Sequence, residues 1–155
     1  MKRTLPQLQK LVDRVAAKAK VTGLKAIWYP VIIADVFEIP NSIDPNAIAG
    51  SDSETKIIAF GGMADAFTDM ELCSIIAHEI GHIVANEPSG NPAVELRADA
   101  YAAKLGYAGA SISAFKHVIT AYPQMAAAAD EITHPTFQAR IAAIQKWMKA
   151  NPTTS

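Results

Sequence analysis

A helix-rich α+β fold with a small sheet is predicted by three features of the sequence. Half of the residues are hydrophobic but only 7% are aromatic, and alanine is abundant, a composition that suits closely packed helices better than a β-sandwich. Apolar residues recur at helical spacing along most of the chain, whereas two short runs rich in Ile and Val, 26–34 and 56–60, read as strands between stretches heavy in Pro, Asn, Ser and Asp. At 155 residues the chain fits one domain that can bury a sizeable core.

In order along the chain, Leu5, Leu8, Leu11, Val12, Val15 and Ala19 form one face of a first helix, with Lys and Gln between them, and this helix stops before Gly23. The N-terminal part is therefore 1–22. The two strands follow, and Thr68 with Glu71 three residues later is a capping box that opens a helix to about residue 85. Residues 26–85 thus hold the sheet and this helix. Pro88, Ser89, Gly90 and Asn91 break the chain, and Pro92 suits the first turn of a helix through about Leu105. Gly106 and Gly109 end it, and a shorter helix covers 111–121. The alanine-rich stretch 125–130 is ambiguous. Pro135 starts the last helix, on which Phe137, Ile141, Ile144 and Met148 share a face, so 91–150 is a helical part of the same single domain, 1–155.

Charge excludes some partners. Fourteen basic and 15 acidic residues leave a net charge of -1 without a run of either sign, so neither nucleic acid nor an anionic membrane surface is expected to bind. Polar residues such as Gln7, Asp13 and Arg14 interrupt the N-terminal segment, and the longest apolar run, 26–34, falls well short of the ~20 residues that span a bilayer. A soluble, cytoplasmic protein is the expectation. The single Cys73 lies within an apolar helical pattern and reads as a buried hydrophobe.

Chemistry concentrates at His78-Glu79-Ile80-Gly81-His82. At about 100° per residue, two imidazoles four apart stand one turn apart on the same side of a helix and can reach one ion. Glu79, rotated by about 100° from His78, flanks that ion and can accept a proton from metal-activated water. Leu72, Ile76, Ile80 and Ile83 occupy another face and anchor the helix in the core. An accidental surface cluster is the bland alternative, but three polar groups in so apolar a segment are costly to bury without a partner.

A catalytic zinc site with two histidines needs one more protein ligand beside water. Glu95 is the leading candidate: it lies on the next helix, Asp99 follows one turn later on the same face, and the break at 88–91 lets that helix fold back. Asp99 is then placed to accept the outer N–H of a ligand imidazole. Glu87, Asp99 itself and His134 remain possible third ligands, and the two acidic residues also fit an ordinary solvated face beside Arg97. A three-histidine site is excluded, because Ala85 and Pro88 stand where it requires Gly and His. His117 reads as structural, and Arg140, on the polar side of the last helix, fits a surface ion pair as well as a role near the site.

Four pieces of the sequence resemble zincins with a glutamate third ligand, specifically the HtpX and CAAX prenyl-protease family and its small soluble relatives, the minigluzincins. They are Asn46-Ala47-Ile48-Ala49 with Lys56-Ile57-Ile58-Ala59-Phe60-Gly61-Gly62; Glu71-Leu72 through His78-Glu79-Ile80-Gly81-His82; Glu95-Leu96-Arg97-Ala98-Asp99; and His134-Pro135 with Arg140-Ile141. The resemblance spans roughly 40–145 in the family's order. Ile48 replaces the family's aromatic, the gap from His82 to Glu95 is short, and the family's membrane helices are missing, which argues against a prenylated substrate.

The resemblance implies a zincin-like fold and a zinc endopeptidase with one zinc ion per chain, held by His78, His82 and Glu95. It further implies Glu79 as general base, His134 as a transition-state stabiliser, Asp99 and Arg140 as positioning groups, and an edge strand at Asn46, Ala47 and Ala49 that pairs with a polypeptide substrate. Two alternatives stand beside it. A repressor-cleaving metallopeptidase of the ImmA/IrrE type shares the His-Glu-x-x-His helix and a Glu-x-x-Ala-Asp-like segment but leaves 134–141 unexplained. A non-catalytic binding protein stabilised by zinc would saturate the metal with protein ligands.

Overall fold

The computed structural model describes residues 2–28, 48–87, 91–127 and 135–152. Among them helices α1 (Leu5–Ala19), α2 (Asp69–Ala85), α3 (Pro92–Ala102), α4 (Ala108–Ala121), α5 (Pro123–Ala127) and α6 (Phe137–Ala150) accompany strands β1 (Lys25–Trp28), β2 (Ala49–Asp52) and β3 (Ile57–Phe60). The architecture is helix-rich α+β with a small sheet.

The sheet has the order β1-β3-β2, with β1 parallel and β2 antiparallel to β3. Central β3 is buried at all four positions, as its unbroken Ile-Ile-Ala-Phe sequence demands. In the β2–β3 turn, Asp52 accepts from the backbone N–H and the hydroxyl of Thr55, at 2.8 and 2.7 Å, and Lys56 adopts φ 54.

Helix α1 begins with a reciprocal capping box between Thr4 and Gln7. Its stripe of Leu8, Leu11, Val12 and Val15 meets Ile58 and Phe60 of the sheet and Leu72, Ile76 and Ile80 of α2 in one core cluster. Gln9 ties the helix to the sheet, donating to Leu24 O at 3.0 Å and accepting from the Ala26 N–H at 2.8 Å. Helix α2 opens with the Thr68–Glu71 capping box that the sequence predicts and stops at Asn86, whose left-handed backbone (φ 51) returns its N–H to the last turn. On its other side α2 crosses α3 closely at Gly81. A Cβ there would lie 3.2 Å from Tyr101 Cβ and 3.3 Å from Ala98 Cα, so any larger residue would press α3 outward by a few tenths of an ångström. A second cluster, Ala103, Ala108, Phe115, Ile141 and Ile144, joins α4 and α6.

Some boundaries differ from the sequence expectation. Helix α3 ends at Ala102 rather than Leu105, because the chain passes through a π-helical turn, Ala103–Tyr107, in which Gly106 takes φ 100. That one glycine makes the break, so Gly109 lies inside α4 instead of ending α3. Helix α6 starts at Phe137, with the Thr136 hydroxyl accepting from Ala139 N–H, and Pro135 precedes it. Of the run expected as a first strand, 26–28 is strand and 29–34 lies outside the described residues.

Candidate metal centre

Helix α2 carries His78 and His82 one turn apart, with their Nε2 atoms 3.0 Å from each other. Each outer nitrogen is engaged. His82 Nδ1 lies 2.8 Å from the Glu87 backbone carbonyl, which can only accept, so this nitrogen carries the proton. His78 Nδ1 lies 2.8 Å from Asp99 Oδ1. With both rings in the neutral form that metal ligation requires, the two Nε2 lone pairs face each other.

Glu95 enters from the first turn of α3, where Asn91 caps the helix by accepting from Val94 N–H. Its Oε2 lies 3.1 Å from His78 Nε2 and its Oε1 lies 3.4 Å from His82 Nε2, with the residue only 2% exposed. The two inner nitrogens and the Glu95 carboxylate thus converge in one buried space, a set of ligand atoms that a single cation can bridge. The spacing suits the cation too: ligands at ~2.0–2.1 Å around tetrahedral zinc are ~3.3 Å apart. Burial, the largest influence on His78, disfavours its charged form, yet the hydrogen bonds to Asp99 and Glu95 push its pKa up to about 10. The site attracts positive charge.

Behind the histidines lies an ion pair that the sequence placed only in part. Arg140 is buried at 8% exposure rather than on the polar side of the last helix, because its guanidinium donates from Nε to Asp99 Oδ2 and from Nη2 to Asp99 Oδ1, both at 2.7 Å. Phe115 and Phe137 pack against the same guanidinium, at 4.3 and 5.5 Å from their ring centres. Burial alone would raise the Asp99 pKa, but Arg140 and His78 hold it below the usual carboxylate range.

The alternative third ligands sort themselves by geometry. The Glu87 carboxylate pairs with Arg97 at the surface, so Glu87 serves the site through its backbone carbonyl. Asp99 meets the outer nitrogen of His78, not the inner one. His134, Asn46 and Ala47 lie outside the described residues. Ala49 is buried at the start of β2, the outer strand beside β3.

Glu79 is buried beside the two histidines, and the Ser51 hydroxyl of β2 donates to its Oε2 at 2.6 Å. No motif marks Ser51 in the sequence. The only signal is the strand's period of two, which puts residue 51 on the same face as Ala49. His117 bonds to Glu71 at 3.2 Å and packs against Phe67 and Tyr122, away from His78 and His82.

A buried pair of helix-borne imidazoles with a carboxylate from the next helix defines the class of centre that metal-dependent hydrolases use. A family model described as peptidase family M48 matches residues 2–92, more than half of the chain, and the chain belongs to that family. Membership makes it a member of a metallopeptidase family, and it is the family to which the HtpX and CAAX prenyl-protease resemblance points. No curated protein and no solved structure matches the chain significantly. The matched segment includes His78, Glu79 and His82 and ends before Glu95, so the case for Glu95, Asp99 and Arg140 stands on geometry and the sequence pattern. Among the described residues no helix is long and apolar enough to cross a membrane.

Proposed function

We propose that this chain is a zinc-dependent endopeptidase with a zincin-like fold over 1–155, in which His78, His82 and Glu95 hold the metal and Glu79 is the general base. One observation carries the reading: both inner imidazole nitrogens and the Glu95 carboxylate converge while both outer nitrogens are held by acceptors. Glu87 O and Asp99 keep the ring protons on Nδ1, so that each Nε2 offers a lone pair. Arg140 keeps Asp99 ionised for that task and neutralises part of the carboxylate charge around it.

When bound, zinc would supply Lewis-acid activation of a water molecule and of the scissile carbonyl. Glu79 accepts the proton released as that water's oxygen attacks the carbonyl carbon, and it passes the proton to the departing nitrogen as the C–N bond breaks. Its position one residue after His78, on the side of α2 that faces β2, supports this role. His134 as a stabiliser of the transition state, and Asn46, Ala47 and Ala49 as the strand that pairs with an extended polypeptide, complete the proposal by resemblance to the family's motifs.

Zinc content and casein hydrolysis, measured together for the native chain and Glu79→Gln, test this reading. The substitution keeps the shape and removes the base, so it should retain the metal while turnover falls by at least ~100-fold. A Glu79→Gln chain as active as the native one refutes the assignment.

A further inference from the structure

The serines of β2 bond to α2 at two levels. Ser51 Oγ meets Glu79 Oε2 at 2.6 Å, and two residues further on Ser53 Oγ meets Asn86 Oδ1 at 2.7 Å, at the end of the helix. The period of two puts Ala49, Ser51 and Ser53 on one side of the strand. Both serines are half-buried; Ser53 bonds to the helix cap, whereas Ser51 bonds to the one acidic side chain of the His-Glu-x-x-His segment. At 2.6 Å the Ser51–Glu79 contact is a short, well-formed hydrogen bond.

We propose that Ser51 is a positioning residue for Glu79, a role that rests on Glu79 being the general base. Its hydroxyl occupies Oε2 and fixes the carboxylate plane, which leaves Oε1 as the oxygen that takes the proton from water and returns it to the leaving nitrogen. A glutamate has three rotatable side-chain bonds, and in a buried site a single strong donor is enough to select one arrangement. Because Ser51 belongs to the outer strand, paired through Ile58 to the centre of the sheet, the base is aimed from the same strand along which an extended peptide is proposed to lie. A shift of β2 therefore moves the base with it, and peptide seating and base orientation are mechanically linked.

Steady-state kinetics and zinc content of Ser51→Ala, Ser51→Thr and Ser53→Ala test the proposal. Ser51→Ala should lower kcat about tenfold with KM changed less than about twofold, because orientation of the base matters in the transition state and not in ground-state binding. Zinc content should stay that of the native chain. Ser51→Thr keeps the hydroxyl and should restore most of the rate, and Ser53→Ala should leave kcat unchanged. A second readout needs no turnover: acetohydroxamate, whose N–OH Glu79 can accept, should bind the zinc-loaded Ser51→Ala chain several-fold more weakly in calorimetry, and bind Ser53→Ala as it does the native chain.

Native kcat and hydroxamate affinity in Ser51→Ala, no rescue by threonine, or an equal loss in Ser53→Ala would each overturn the role of Ser51. A zinc-loaded native chain no faster than Glu79→Gln would instead defeat the peptidase reading, and the hydroxamate comparison would still decide whether Ser51 aims the carboxylate.

Discussion

The two ends of α2 use the same residue types to opposite effect. At its N-terminal end Glu71 accepts from the Thr68 backbone N–H at 3.2 Å, from the Ser113 hydroxyl at 2.8 Å and from His117 at 3.2 Å. Every acceptor there meets a donor, and the cluster is complete without a further group. At the C-terminal end the histidine protons point outward to Asp99 and Glu87 O, while two ring nitrogens and a carboxylate turn inward upon one another. A histidine beside a carboxylate does not mark a functional centre. What sets the C-terminal end apart is that two ring nitrogens and a carboxylate from the next helix lie close enough together for one cation to bridge them.

The sharpest way to break this contrast is to remove one of the inward nitrogens. His82→Ala should lower zinc affinity by several orders of magnitude with folding retained, whereas His117→Ala should leave zinc affinity unchanged; competition with a chromogenic chelator checks both. Next in size is Asp99→Asn, which leaves one neutral oxygen where a carboxylate held both His78 and Arg140, and so strands the buried Arg140 charge. Zinc affinity should fall about 10–100-fold, and denaturant unfolding should show a loss of about 3–5 kcal/mol. Gly81→Ala acts at the C-terminal end, between the two histidines, by pressing α3 away from α2 at Tyr101 and Ala98, and should cost about 1–3 kcal/mol in the same unfolding measurement and weaken zinc binding with it.

The smallest effect belongs to the closed cluster. Burial alone would raise the Glu71 pKa, but Ser113, His117 and Thr68 outweigh it and hold the carboxyl below its ordinary value. A carboxyl depressed in the folded state stabilises it above the unfolded pKa, and this contribution fades as pH falls through the folded pKa. The native chain should therefore lose stability relative to Glu71→Gln as pH drops from about 5 to 3, by a modest amount since the group is partly solvated. Thermal melts of both chains in chelator measure the difference.

Much of this was legible in the sequence, for reasons that particular residues make clear. The apolar periodicity of α1, the Thr68–Glu71 box and the His-Glu-x-x-His spacing are local patterns, and local patterns fix helices and the faces they present. Glu95 and Asp99 were legible as a pair because one turn separates them, with Glu95 meeting inner nitrogens and Asp99 an outer one. What the sequence hid was long-range. For Arg140 the sequence left a surface ion pair and a role near the site open, and its partner, Asp99, 41 positions away, became visible only when α6 packed against α3. Ser51 carries no motif, and Glu79, its partner, is 28 residues away across a strand-to-helix contact. The end of α3 was misread because Gly106 and Gly109 look alike in sequence, and only Gly106 takes the positive φ that breaks the helix.

Zinc stoichiometry after dialysis, with X-ray absorption at the zinc edge, tests the central claim most directly. The account predicts one zinc per native chain, two imidazole nitrogens and a carboxylate oxygen in its coordination shell, and loss of the oxygen ligand in Glu95→Ala. A chain that stays metal-free in excess zinc, or a bound zinc whose shell is unchanged by Glu95→Ala, would contradict it.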